Sequence, residues 1–446
     1  MDHITVRHIV EAVSGTLLCG DADTELKHIS IDSRSMRGAD LFVPLIGEKS
    51  DAHRFLIQAM DNGAAAALTS EHEAAPEGFH GALIQVKDTK LALQTIGRCL
   101  RARLSIPLVG ITGSVGKTTT REMVAAALSA KYKTFKTPAN HNSQIGVPLT
   151  ISEISENDEI GVLELGMSEP GEMAVIAEIA AVDSAVMTNI GVTHIENLGS
   201  RENILKEKLH IQDGMKAGGI LFVNGDNDML STVHAKAGCH TVRYGLGADN
   251  DYRAEDLSYP DGFPSFTMVH GEVRVPVKLT VMGEHNVMNA LAALAVADAY
   301  GVPLADAAEK LLEFGGFKNR QQIYHKNGYT IVDDTYNASP DSMKAAIGVL
   351  SSLPAGRRIA VLADMKELGE NTIQFHREVG AFLAEKPVDI LVVYGELAQS
   401  IAEGAKRVKP DLHIVSFERT KKKICLTGWM HRSARKMRSC SRAPTV

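Results

Sequence analysis

At 446 residues, with 44% hydrophobic and 23% charged side chains, the chain is too long for one ordinary core and too apolar for disorder, which predicts about three domains. A formal net charge of −7 excludes a basic nucleic-acid-binding surface, so any phosphate chemistry must rest on local cations. Five scattered cysteines with no C-x-x-C pair exclude a disulfide framework or a cysteine zinc site, and no apolar run reaches the ~20 residues that span a bilayer, so a cytoplasmic protein without membrane insertion is expected.

Residues 1–105 carry short apolar runs (41–43, 64–68, 82–84) between turn residues and one Ala-rich helical candidate, 55–62, the pattern of a small α/β domain. Two polar clusters stand out, Ile31-Asp32-Ser33-Arg34 and the loop from Gly47 through Asp51, Ala52 and His53. By themselves, Asp32-Ser33-Arg34 favour a plain turn closed by an Asx-type hydrogen bond.

The stretch from Ile106 to Thr120, IPLVGITGSVGKTTT, is an apolar β-branched run broken at Thr112-Gly113, followed by Gly116-Lys117-Thr118-Thr119 and a helical segment, 121–130. Strand, glycine loop and helix in that order aim backbone N–H groups and a helix N-terminus at phosphate. Lys117 would then reach the β/γ-phosphates, and the Thr118 hydroxyl would face Mg²⁺. The glycine spacing is shorter than the usual phosphate loop, with Ile111 where that pattern has its first glycine.

Next come a polar loop, Thr137 to Ser143, containing Asn140 and Asn142, and an apolar strand, 160–165, with the single carboxylate Glu164 near its end. Ligands bind at the carboxyl ends of parallel strands, so Glu164 reads as a metal ligand or base, the alternative being a solvated strand end. His194 follows the strand 184–190 in the same manner. A helix over 202–211 carries Lys206 and Lys208, which by pattern alone form a solvated face. Alternating strands over 252–281 look antiparallel, and an Ala-rich helix is expected over 290–300. Asn286 and Asn289, one turn apart, could bind a base or sugar or cap that helix; capping is the simpler reading.

After Gly315-Gly316, three strand–helix repeats are expected, their strands at 329–332, 358–362 and 389–394. Asp333 to Pro340 ends the first strand, and Asp364 to Gly369, followed by His376, ends the second. From about Arg419 acidic residues vanish and periodicity stops, which favours a shifted reading frame over a genuine basic tail. The expected fold class is therefore α/β in three domains. These are a small α/β N-terminal domain (1–105), a central P-loop, mostly parallel-sheet ATPase domain (106–312) and a C-terminal doubly wound, Rossmann-like domain (313–446, with 419–446 atypical).

In order and spacing, these motifs resemble the Mur ligase family, the ATP-dependent amide ligases of bacterial cell-wall precursor synthesis, over residues 1–418. The resemblance implies that Gly113, Gly116, Lys117, Thr118 and Thr119 form the ATP loop. It implies Mg²⁺, two ions in this family, on Thr118, Glu164, His194 and Lys208, with Lys208 carbamylated, a chemistry that needs a neutral, desolvated amine. Where this chain has His210, many family members carry Glu. Asn286 and Asn289 match amides that contact adenosine, Arg320 an arginine that approaches the phosphates, and Asp334 an acid near the ribose. Ser33, Arg34, Asp51 and His53 match uridine-nucleotide loops. Asn140, Asn142, Tyr336 and Asn337 point to the dipeptide-adding branch. That branch implies UDP-MurNAc-tripeptide and D-Ala-D-Ala as substrates, no nucleic-acid partner, and a monomer. A tripeptide-forming relative, a folate-type glutamate ligase and a P-loop nucleotide switch without ligation remain the rival readings.

Overall fold

The computed structural model describes residues 1, 3–48 and 50–418, so the atypical stretch 419–446 and its shifted-frame reading lie outside the described residues. The chain forms two compact units. Among the described residues, one comprises Met1–Gly191 with Ser200–Gly315, and the other comprises Val192–Gly199 with residues 316–418.

In the first unit, residues up to 105 build a five-stranded sheet in the order Thr16–Cys19, Ala82–Gln85, Ala64–Thr69, Asp40–Phe42, His28–Ser30. Its pairs are parallel except the first, which is antiparallel. The helical candidate at 55–62 forms as a 3₁₀ turn, Ala52–Phe55, leading into the helix Leu56–Asp61, because the Asp51 side chain accepts from the His53 N–H and caps the turn.

The rest of that unit is a nine-stranded sheet. Six strands run parallel in the order Thr134–Lys136, Ile160–Glu164, Leu108–Thr112, Ser184–Met187, Ile220–Asn224, His240–Gly245. Every residue of Leu108–Thr112, Ile160–Glu164 and Ser184–Met187 is buried, as expected of parallel strands covered on both faces. Tyr252–Ser258 extends the sheet in parallel, and Ser265–His270 and Val273–Lys278 close it antiparallel. The helices Lys117–Leu128 and Glu284–Ala299 bury Met123, Leu128, Val287, Leu291 and Leu294 with Val109 and Ile111 in one core. Glu284–Ala299, with Gly283 as its N-cap, begins six residues before the expected start, so Asn286 and Asn289 lie inside the helix.

In the second unit, Ile359–Ala363, Ile390–Tyr394 and His413–Phe417 form a parallel three-stranded sheet, packed by the helices Pro340–Ser352, Thr372–Ala384 and Gln399–Val408. The strand expected at 329–332 is present as Tyr329–Asp333. It pairs antiparallel with Gln322–Lys326 instead of joining the parallel set, because Asn327 and Gly328 both take positive φ (51° and 78°) and close a two-residue hairpin. Among the described residues no helix is long and apolar enough to cross a membrane.

Candidate active site

The phosphate loop leaves Leu108–Thr112 through Gly113 (φ 152°), where a Cβ would stand 1.9 Å from Thr188 Oγ1, and enters its helix through Gly116 (φ 86°). Only glycine fits the first position. The strand end beside it pins the loop: Ser114 N–H donates to Asn189 O (3.0 Å), Val115 N–H to Asn189 Oδ1 (2.9 Å), and Thr188 Oγ1 to Val115 O (2.6 Å). Lys117 Nζ donates to the Gly113 carbonyl at 2.8 Å. Thr118 is buried, Thr119 half-buried, and the Thr112 hydroxyl is buried with no partner among the described residues.

Glu164 stands one strand away, in register with Ile111. It is 3% exposed, which corrects the solvated-strand-end alternative. Its Oε1 accepts from Asn142 Nδ2 (2.9 Å), its Oε2 from an Arg121 Nη (3.2 Å), and its backbone N–H donates to Thr137 Oγ1. Arg121 also reaches Glu122 Oε1 (2.6 Å) and the Ala139 carbonyl (2.9 Å), and Lys136 bonds the other Glu122 oxygen. Two glutamates and two cations thus form a charge-balanced set. Asn140 is exposed, and its carbonyl accepts the Asn142 N–H.

Lys208 lies on the helix Arg201–Leu209 and is 1% exposed, whereas Lys206 is exposed. The solvated-face reading therefore holds for Lys206 and is corrected for Lys208, whose side of the helix turns into the core. Burial, then the nearby charge of Lys117, pushes the Lys208 amine well below the usual lysine range, and Glu207 opposes the shift. His210 pairs with Asp213 (2.6 Å).

Asn289 Oδ1 accepts from Thr120 Oγ1 (2.9 Å), Asn289 Nδ2 donates to Asn286 Oδ1 (3.0 Å), and Asn286 Nδ2 donates to Met282 O (2.7 Å). Neither amide caps the helix, which corrects that reading. The chain of bonds ties the Glu284–Ala299 helix to the phosphate-loop helix.

In the first domain Asp32 closes the expected Asx turn and grips Arg34 through both carboxylate oxygens (2.8 and 2.7 Å). This pairing holds the Asp32 carboxyl at about 2, below its ordinary value. Ser33 is buried and donates to Gln58. His53 is buried between Asp51, whose Oδ1 meets Nδ1 at 2.6 Å, and the Ser70 N–H, which donates to Nε2 at 3.0 Å. Those partners place the ring proton on Nδ1.

The second unit holds His194, Arg320, Asp334, Tyr336 and Asn337. His194 takes left-handed φ (63°) and meets Glu367 Oε2 through Nδ1 at 2.5 Å. The Arg320 guanidinium lies 3.8 Å over the Tyr336 ring. Burial raises the Asp334 carboxyl, with Gln321 at 3.5 Å opposing. Asn337 is exposed and accepts the Ala338 N–H.

The first unit thus holds Gly113, Gly116, Lys117, Thr118, Thr119, Glu164, Lys208, Asn286 and Asn289, with Asn140, Asn142, Ser33, Arg34, Asp51 and His53, and the second holds His194, Arg320, Asp334, Tyr336 and Asn337. Sequence reasoning missed Arg121, Thr188, Asn189 and Glu367. Arg121-Glu122, a charged pair directly before the apolar run 123–128, was the available signal for the first. The Thr118 hydroxyl at the loop's helix and the Glu164 carboxylate at the adjacent strand end are oxygen donors of the kind Mg²⁺ takes. Among the described residues no set of three His, Cys, Asp or Glu forms a metal cage.

Residues 25–102 match the family model described as "Mur ligase family, catalytic domain", residues 111–297 "Mur ligase middle domain", and residues 319–426 "Mur ligase, glutamate ligase domain". The UDP-N-acetylmuramoyl-tripeptide–D-alanyl-D-alanine ligase of Bacillus subtilis (strain 168) is 40% identical over 407 residues, 90% of this chain and 87% of that protein. The chain belongs to the Mur ligase family. Among solved structures, this Mur ligase is similar to MurF from Acinetobacter baumannii (31% identity, TM-score 0.87, 96% of this chain and 93% of that one). It is also similar to the MurF ligase from Thermotoga maritima in complex with ADP (30% identity, TM-score 0.76, 89% and 94%).

Proposed function

We propose that this Mur ligase joins D-alanyl-D-alanine to UDP-N-acetylmuramoyl-tripeptide at the cost of ATP, in the cytoplasm, as a step of peptidoglycan precursor synthesis. The observation that carries the ATP chemistry is the pairing of the Lys117 loop with Glu164 at the ends of adjacent parallel strands. The acceptor follows from the B. subtilis relative that spans most of the chain. Residues 1–105, 106–312 and 313–446 serve as UDP-substrate, ATP and C-terminal ligase domains.

The peptide carboxylate attacks the γ-phosphorus, giving an acyl phosphate and ADP; the dipeptide amine then attacks that carbonyl, forming the amide, losing a proton and expelling phosphate. Lys117 and the loop N–H groups hold the β/γ-phosphates. Asn286, Asn289, Arg320 and Asp334 contact the nucleotide, Ser33, Arg34, Asp51 and His53 the uridine nucleotide, and Asn140, Asn142, Tyr336 and Asn337 the peptide substrates. Thr118, Glu164, His194 and a carbamylated Lys208 would hold Mg²⁺, which would supply neutralisation of phosphate charge. The depressed basicity of Lys208 supports the carbamate, because only the neutral amine adds to CO₂.

Incubation with ATP, Mg²⁺, UDP-MurNAc-tripeptide and D-Ala-D-Ala should yield the UDP-pentapeptide mass and one phosphate per product, and elution in gel filtration should match a monomer. Phosphate release without an acceptor would point to a nucleotide switch. Product only with a single amino acid on the dipeptide precursor would point to the tripeptide-forming branch.

A further inference from the structure

The segment Asp364–Gly369 leaves the strand Ile359–Ala363 and carries three charged side chains, Asp364, Lys366 and Glu367. It helps line a cavity of about 140 Å³ together with Thr193, Asn337 and Ser339. The Thr372 hydroxyl donates to the Gly369 carbonyl (2.6 Å), Glu367 meets His194, and further bonds tether the segment to its neighbours. Asp364 Oδ1 accepts from the Ala398 N–H (2.9 Å), the Glu367 carbonyl accepts from the Glu196 N–H (3.3 Å), and the Met365 N–H donates to His376 Nε2 (3.0 Å).

His376 is 0% exposed, in the first turns of the helix Thr372–Ala384, and its Nδ1 lies 2.7 Å from the Thr372 carbonyl. A backbone N–H pointing at Nε2 requires a lone pair there, and a carbonyl at Nδ1 requires a proton there, so both neighbours demand the same neutral tautomer. Replacing the ring by a side chain that cannot accept would leave the Met365 N–H buried and unmet.

We infer that His376 is a positioning residue: as an Nδ1-protonated neutral ring, it latches the Asp364–Gly369 loop so that Glu367 meets His194 and Lys366 borders the cavity beside Asn337. The functional arm of this inference rests on the reading above, which gives Asn337 to the peptide substrates. Burial also lowers the basicity of the ring, opposed by the Thr372 carbonyl and by Asp364, which agrees with a neutral His376.

Two variants split the ring's roles. In His376→Gln the amide oxygen reaches as far as Nε2 and can accept from Met365; in His376→Asn the amide nitrogen can still donate to Thr372, but nothing reaches Met365. His376→Gln should keep the KM for D-Ala-D-Ala near the unsubstituted value. His376→Asn should raise it about tenfold, with the KM for ATP unmoved in both. In the unsubstituted full chain, hydrogen exchange should find the Met365 amide protected against exchange relative to exposed loop amides. Exchange at Met365 as fast as at those amides overturns the latch, whatever the variants do. Equal behaviour of Gln and Asn, or an equal rise in the ATP KM, overturns it as well. The exchange measurement needs no turnover, so it judges the latch even if the proposed acceptor is wrong.

Discussion

An Arg121 Nη nitrogen stands 3.2 Å from Glu164 Oε2, with both side chains almost wholly withdrawn from solvent. Arg121 therefore supplies the protein's own positive charge to the candidate metal carboxylate, and Glu122 and Lys136 balance the remainder. Arg121→Ala leaves the buried Glu164 with no cation and Glu122 with Lys136 alone, and should destabilise the fold by about 3–5 kcal/mol in urea unfolding. Lys136 is 48% exposed, so Lys136→Ala should cost under about 1 kcal/mol. Similar losses for the two would mean that the network does not depend on its buried member.

Lys117→Ala should lower kcat by about 10²–10³-fold while circular dichroism and melting remain those of the unsubstituted chain. Gly113→Ala differs in kind, since its Cβ would overlap the Thr188 hydroxyl, and nucleotide binding should fail together with local stability. Ligation that survives Lys117→Ala would remove the loop from the chemistry.

Lys208 makes a prediction about pH. Its amine is less basic in the folded chain than its ordinary value of 10.5, so between the depressed folded value and 10.5 the unfolded chain binds the extra proton and stability rises with pH. Lys208→Met lacks that term. In CO₂-free, metal-free buffer it should be the more stable protein at pH 7, with the advantage shrinking as pH approaches 10.5. With substrates present, Lys208→Ala should lose activity and recover part of it on addition of short carboxylates. Parallel stability–pH curves would contradict the desolvation argument, and absence of rescue would leave the carbamate without support.

His53→Ala removes one partner each from Asp51 and the Ser70 N–H, and should cost about 1–3 kcal/mol. It should also raise the KM for the UDP-substrate and leave that for D-Ala-D-Ala unchanged. A KM change shared by both substrates would show that the first-domain loops do not select the nucleotide.

The strand–loop–helix of residues 106–128 was legible because its signals are local: an apolar run, glycines at the bend, and helix formers after it. Glu164 was legible for the same reason, as the single carboxylate of a buried strand. Lys208 was not, since which side of a short helix faces the core depends on distant segments; Lys206 and Lys208 look alike in sequence and differ only in what packs over them. The hairpin at 322–333 had a local signal, Asn327-Gly328, which the strand–helix pattern overrode. The bonds from Thr120 to Asn289 and from Arg121 to Glu164 join residues 169 and 43 apart, and no periodicity reports such pairs.

The strand Leu108–Thr112 lies between Ile160–Glu164 and Ser184–Met187, both made later. During synthesis its second neighbour is complete only about 75 residues after it, roughly 4–15 s at 5–20 residues per second. Through that interval the nascent chain displays an apolar ribbon with an unsatisfied edge, so the strand that leads into the glycine loop is exposed to mispairing before its sheet closes.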